Sequence, residues 1–299
     1  MDFVVGTESG LFRVGDDGSR QLLLVGAIKH VVASDEGCVA LRTDNTLWNV
    51  DEDGAQEFDT FGTIAPTCVL LDDDDVWLGT EGAHLIVLRG GEAVRITSFD
   101  EAKGRDTWHT PSGGPPAVRS LDIDDDGTLY ASVHVGGILR STDEGKTWEP
   151  TIDIALDVHQ VSRVPEYPET AVAACAQGRA LTIDSGTTWE VDHEGLHATY
   201  CRAVAVAGDY VILSASDGPD RARSGLYRRA LDGTVFTRCR NGLPNEWLEK
   251  NIETHCLAAW DELAVAGMPG GNVYMSTDAG EHWRHLAAAL PEITSVAIL

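Results

Sequence analysis

Positive charge is scarce in this chain. Its 299 residues carry 22 Lys and Arg against 48 Asp and Glu, a formal net charge of −26. Lys29, Lys103, Lys146 and Lys250 are the only lysines. Nucleic acids and anionic membranes both need clustered cations, so neither is expected as a partner. The six cysteines form no Cys-x-x-Cys pair and no regular spacing, which excludes a zinc ribbon and a disulfide framework. Cys38, Cys68 and Cys175 fall in strand-like runs and read as small core residues. The N-terminus has no charged-plus-apolar leader, and no apolar run approaches membrane length, so a cytoplasmic protein is expected. The acidic runs Asp72–Asp75 and Asp124–Asp126 lack the spaced ligands and closing Glu of a calcium-binding loop.

What the chain does have is a repeated turn. Ser141-Thr-Asp-Glu-Gly-Lys-Thr-Trp148, Thr182-Ile-Asp-Ser-Gly-Thr-Thr-Trp189 and Ser276-Thr-Asp-Ala-Gly-Glu-His-Trp283 share the form [S/T]-x-D-x-G-x-x-W. In each, the Asp (143, 184, 278) can accept from backbone N–H groups just ahead of it. The Gly (145, 186, 280) supplies a positive φ, and the Trp (148, 189, 283) packs down between sheets. The three copies stand roughly one and then two lengths of a 40–50-residue repeat apart, the length of a four-stranded propeller blade. Degenerate turns complete the series at Asp16–Gly18, Asp51–Gly54, Arg89–Gly91 and Asp232–Gly233, each after short apolar or alternating runs.

The repeated turn resembles the Asp-box, or BNR repeat, of sialidase-like β-propellers. That resemblance implies an all-β fold of seven blades, with the Asp-boxes on blades four, five and seven, in a single domain over residues 1–299. Blade 1 is expected from about residues 1–26 plus 292–299. Asp2–Val5 then reads as a second strand, and Ile293–Leu299 as the first strand that closes the ring and removes an open edge. Related propellers include sialidases, xyloglucan-cleaving glycosidases, sortilin-type receptors and the photosystem II assembly factor. The sialidase activity is not implied: no [F/Y]-R-I-P occurs, and Arg163-Val-Pro165 is a poor substitute in the wrong place. The acidity resembles that of salt-in halophiles of haloarchaeal type, because self-repulsion of this size is tolerated where salt screens it.

In such a blade, Asp-boxes and first-to-second-strand turns share one face, and inter-blade loops share the other. The Asp runs gather on the first. The second collects long insertions: Phe99–Ala117 with Lys103, Arg105, Trp108 and His109; Asp192–Tyr200 with His193 and His197; Ser216–Ser224 with Arg221 and Arg223; and Asn241–Thr254 with Trp247. Aligning the starts of the innermost strands places His30, Cys68, Arg119, His159, Arg202, His255 and Thr294 at equivalent positions near the channel mouth. Tyr200, Cys201, Cys256 and His134 stand close by. Four readings stay open at this point. The groups are polar lining of a wet channel; or His30, Arg119, His134, His159, Tyr200, Arg202 and His255 bind an anionic small molecule or a protein partner. Alternatively His134, His159 and His255, with His197 or Cys201, hold Zn, Cu or Fe for a hydrolase or lyase. The last is a catalytic carboxylate pair drawn from Asp122, Asp157, Asp192 and Glu253.

Overall fold

The computed structural model describes every residue except Asp125, Arg221 and Ala222, so Arg221 of the third insertion lies outside the described residues. The described residues form seven four-stranded antiparallel sheets, and the chain is an all-β, seven-bladed β-propeller. It divides into two compact units, Met1–Gly62 with His193–Leu299, and Thr63–Asp192.

The first unit holds blades 1, 2, 6 and 7. Blade 1 orders its strands Ile293–Ile298, Asp2–Thr7, Gly10–Gly15 and Arg20–Val25. The last strand of the chain pairs Ile298 with Phe3 and Val296 with Val5, and the Leu299 N–H donates to the Asp2 carbonyl at 3.0 Å. Ile293, Val296 and Ala297 are buried there, so the C-terminal segment closes the blade that the N-terminus opens. Blade 2 is Ile28–Ser34, Gly37–Arg42, Thr46–Asp51 and Ala55–Thr60. Blade 6 is Val204–Ala207, Tyr210–Ala215, Gly225–Ala230 and Thr237–Arg238, and blade 7 is Leu257–Trp260, Leu263–Met268, Asn272–Ser276 and Arg284–Ala287.

The second unit holds blade 3 (Pro66–Asp72, Asp75–Thr80, Leu85–Arg89, Glu92–Arg95), blade 4 (Val118–Ile123, Leu129–Val133, Gly137–Ser141, Glu149–Pro150) and blade 5 (Val158–Arg163, Ala171–Cys175, Gly178–Thr182, Glu190–Asp192). Second strands such as Leu129–Val133 and Ala171–Cys175 are buried at every residue, while Glu92–Arg95 is exposed at every residue. This gradient explains the pattern in the sequence. A strand covered on both faces reads as a continuous apolar run, and an outermost strand reads as polar. The insertion after Arg95 is not wholly irregular: a one-turn helix, Thr97–Asp100, buries Phe99, and Trp108 packs beside it with ring centroids 5.7 Å apart. Trp108 is therefore a core residue.

The three repeated turns share one hydrogen-bond scheme. Asp143 Oδ1 accepts from the Thr147 N–H at 2.8 Å, and Ser141 Oγ accepts from the Gly145 N–H at 2.9 Å. Asp184 with Thr188, and Asp278 with His282, repeat the first bond at 2.8 Å. Two successive residues take positive φ in each turn: Glu144 and Gly145, Ser185 and Gly186, Ala279 and Gly280. The glycine is needed because a Cβ on Gly145 would stand 3.0 Å from the Trp77 ring as well as being strained.

One register detail differs from the expectation. Several innermost strands start with a bulge, so one residue is skipped between the first two pairs. In blades 4 and 5 the skipped residues are Arg119 and His159, as aligned above. In blades 2 and 3 they are Lys29 and Thr67, and His30 and Cys68 are paired, buried residues one position further on. Counting back from the first core aliphatic slips by one there, because a bulge leaves no mark in the hydrophobic pattern.

Candidate functional site

The Thr63–Asp192 unit gathers Arg119, His134 and His159 around one carboxylate. Arg119 and His159 hold the bulge positions, and His134 follows Val133 in the loop between the second and third strands of blade 4. Asp157 supplies the centre. It ends the short 3-10 turn Ile154–Leu156 in a left-handed conformation, φ 48°. Its Oδ1 lies 3.5 Å from Nε2 of His134, and its Oδ2 lies 3.5 Å from Nε2 of His159, which is fully buried. Arg119 Nη1 is 3.4 Å from His134 Nε2. Burial works to raise the Asp157 carboxyl, but the hydrogen bond and charge of His159, followed by His134 and Arg119, hold it below the usual carboxylate range. One carboxylate thus orients two imidazoles beside a guanidinium, and the cluster is positive whenever either imidazole takes a proton.

The other unit places its candidates in two groups. Arg202, just before the innermost strand of blade 6, makes an ion pair with Glu253. It also donates to the Pro219 carbonyl at 3.3 Å and approaches the Tyr200 hydroxyl at 3.4 Å, with its guanidinium 5.4 Å from the Tyr200 ring centre. Burial opposes the Arg202 charge, yet Glu253 and then Tyr200 hold its pKa above the ordinary arginine value. The second group is a stack: the rings of His30 and His255 lie 3.8 Å apart at 31°. His255 has a positive φ of 67°, and its carbonyl accepts from the Val296 N–H at 2.9 Å. Burial, with the His255 charge added, pushes His30 well below the usual histidine range, so His30 is neutral at pH 7.

The neighbouring insertions are also internally bonded. His197 Nε2 faces the Arg223 carbonyl at 2.7 Å and must carry the proton, so Nδ1 accepts from the Tyr227 hydroxyl at 2.7 Å. Trp247 stacks on His197 at 4.1 Å and lies under the Arg238 guanidinium at 3.7 Å. Among the described residues, no group of three or more His, Cys, Asp or Glu side chains is arranged to hold a metal ion.

No protein-family model matches the chain, and no curated protein matches it. Solved structures do. PorZ, described as a surface component of the type-IX secretion system of Porphyromonas gingivalis, aligns at 11% identity and TM-score 0.62 over 91% of this chain and 34% of its own. A Niastella koreensis GH74 enzyme aligns at 13% identity and TM-score 0.60 over 94% of this chain and 46% of its own. YCF48, solved bound to D1 peptide, aligns at 14% identity and TM-score 0.60 over 95% of this chain and 84% of its own. The likeness is one of fold. The chain spans about a third of PorZ and under half of the GH74 enzyme.

Sequence reasoning missed the carboxylates that organise the site. Asp157 and Glu253 stood only as members of a catalytic pair, and each also stands beside a candidate cation. Asp192 likewise pairs with Arg179. Asp122 lies toward the far end of its strand, where it accepts the N–H groups of Arg163 at 2.8 Å and Ile123 at 2.9 Å. The available signal was proximity: Asp157 stands two residues before His159 in sequence.

Proposed function

We propose that this chain is a ligand- or partner-binding propeller of the Asp-box class, adapted to a salt-rich cytoplasm and acting as one domain over residues 1–299. Its site lies among the loops at the channel mouth opposite the Asp-box turns and takes an anionic group. The observation that carries this reading is the gathering of Arg119, His134 and His159 about the single carboxylate of Asp157, in a chain of net charge −26. Within the other unit, Arg202 with Tyr200, and His255 with His30, are the groups this reading takes as binding residues. The peptide carried by YCF48 supports a peptide as one form of the partner. The GH74 neighbour keeps an enzyme in view, but a metal centre built from His134, His159 and His255 has no arrangement of ligands in its favour.

The test is thermal unfolding in KCl of fixed ionic strength, titrated with phosphate, citrate or glutamate. At least one anion is expected to raise the midpoint saturably, as ligand linkage requires, and Arg119→Ala is expected to abolish the rise. A rise unaffected by Arg119→Ala, or none beyond that given by chloride, overturns the reading. Stoichiometric Zn, Cu, Fe or Mn in protein purified without a histidine tag favours the enzyme instead.

A further inference from the structure

His84, in the loop joining Thr80 to Leu85, meets Arg95 and Arg105 at Asp100 in a second cation cluster, separate from the one at Asp157. Beside it opens a cavity of about 290 Å³ within the Thr63–Asp192 unit. Ile64, Ile86 and Ala93 supply its apolar wall, and His84 and Arg95 supply polar groups. At ~30 Å³ for each water in the liquid, the space suits a ligand of roughly ten heavy atoms or fewer.

The polar groups are held from behind by one carboxylate. Asp100 Oδ1 lies 2.6 Å from His84 Nδ1, and Arg95 Nε donates to Asp100 Oδ2 at 2.6 Å. Arg105 approaches the same carboxylate at 3.5 Å while its nitrogens donate to the carbonyls of Ala83 at 2.6 Å and Gly82 at 3.0 Å. Two guanidiniums therefore share a single negative charge, which leaves one positive charge over. Burial lowers the Arg105 pKa, Asp100 opposes that fall and Arg95 adds a little to it. Glu81, an exposed residue, also lines the cavity, and it makes no ion pair with either guanidinium among the described residues.

We propose that this cavity binds a small monocarboxylate with an apolar body of about four to eight carbons. Arg95 beside His84 takes the carboxylate, and Ile64, Ile86 and Ala93 take the body. The site is independent of the one at Arg119. Hexanoate is the probe and hexanamide its neutral counterpart, with saturation-transfer NMR as the readout. Hexanoate is expected to bind saturably, hexanamide to show no saturable signal, and Arg95→Ala to weaken hexanoate by at least about tenfold. Arg95 is 53% exposed on an outermost strand, so Arg95→Ala is expected to keep the wild-type melting midpoint. If it does not fold, the hexanoate–hexanamide comparison on the wild type decides. Arg119→Ala is expected to bind hexanoate normally, which separates failure here from failure of the proposed function. Absence of saturable binding, unchanged affinity in folded Arg95→Ala, or equal binding of the amide overturns the assignment.

Discussion

Removing the tryptophan from each repeated turn is expected to have unequal consequences. Trp148 and Trp283 are 7% and 5% exposed, whereas Trp189 is only half-buried. Trp148 meets Phe99 edge-on at 5.0 Å, and its indole N–H donates to its own turn at Gly145 O, 3.2 Å away. Trp283 repeats this bond to Gly280 O at 2.9 Å. Trp189 departs from the scheme and donates to Thr151 Oγ1 at 3.1 Å. Truncating a buried Trp to Ala removes the transfer free energy and leaves a cavity, together about 3–5 kcal/mol. A partly buried ring loses less of the transfer part and leaves a more open cavity, so Trp189→Ala is expected to cost about 2–3 kcal/mol. The Gly145 carbonyl still accepts from the Ser98 hydroxyl when the indole is gone, which places Trp283→Ala at the upper end of the range. Urea unfolding at one fixed KCl concentration, followed by circular dichroism because fluorescence changes with each substitution, gives the three differences from shifts at constant slope. Equal costs at all three positions, or a Trp189→Ala cost above the other two, refute the reasoning.

Two further outcomes follow from ring closure and from a half-buried acid. A chain ending at Glu292 loses the closing strand and is expected to unfold at lower urea or not to fold cooperatively. Ser295→Ala, which strips the Val31 N–H of its partner at 3.1 Å, is expected to cost about 1–3 kcal/mol; no change in either variant contradicts closure. Burial above all, with Asp124 adding and the N–H groups of Arg163 and Ile123 opposing, raises the Asp122 carboxyl to about 6. A folded pKa above the unfolded value stabilises below about pH 4, and that contribution is lost as pH rises through about 6, at most about 3 kcal/mol. The stability of Asp122→Asn relative to wild type is therefore expected to improve between pH 4 and pH 7, and a difference that stays flat with pH removes the argument.

The blade structure was legible because its determinants are local. A Gly-dependent turn and a Trp directly before the next strand recur at blade spacing, and fully covered strands such as Ala171–Cys175 read as apolar runs. Closure by Ile293–Ile298 was legible because an apolar segment without a blade of its own would otherwise expose an edge. The inner register was legible in part. Arg119 and His159 were placed by counting, but Lys29 and Thr67 were displaced by a bulge that depends on backbone geometry rather than on side-chain type. The cavity at His84 had no sequence signature, because its apolar wall and its charges come from separate segments brought together only by the fold of blade 3.

The scarcity of cations shapes how these sites behave. In a chain this acidic, a cation on a loop meets a carboxylate of the chain before it meets a ligand: Arg202 has Glu253, Arg223 has Asp217 at 2.7 Å, and His134 and His159 have Asp157. Such pairing fixes the side chain, and it also opposes anion binding, since an incoming anion must be accommodated beside a negative charge already present. A site gains affinity for anions only where positive groups outnumber the acid they share. At Asp157 the single guanidinium of Arg119 only balances the carboxylate it faces, so Asp157→Asn is expected to strengthen anion binding there. At Asp100 two guanidiniums face one carboxylate, so hexanoate binding there does not wait on removal of the acid. Glutamate affinity at Arg119 that is no tighter in Asp157→Asn than in the wild type contradicts this account of the cluster.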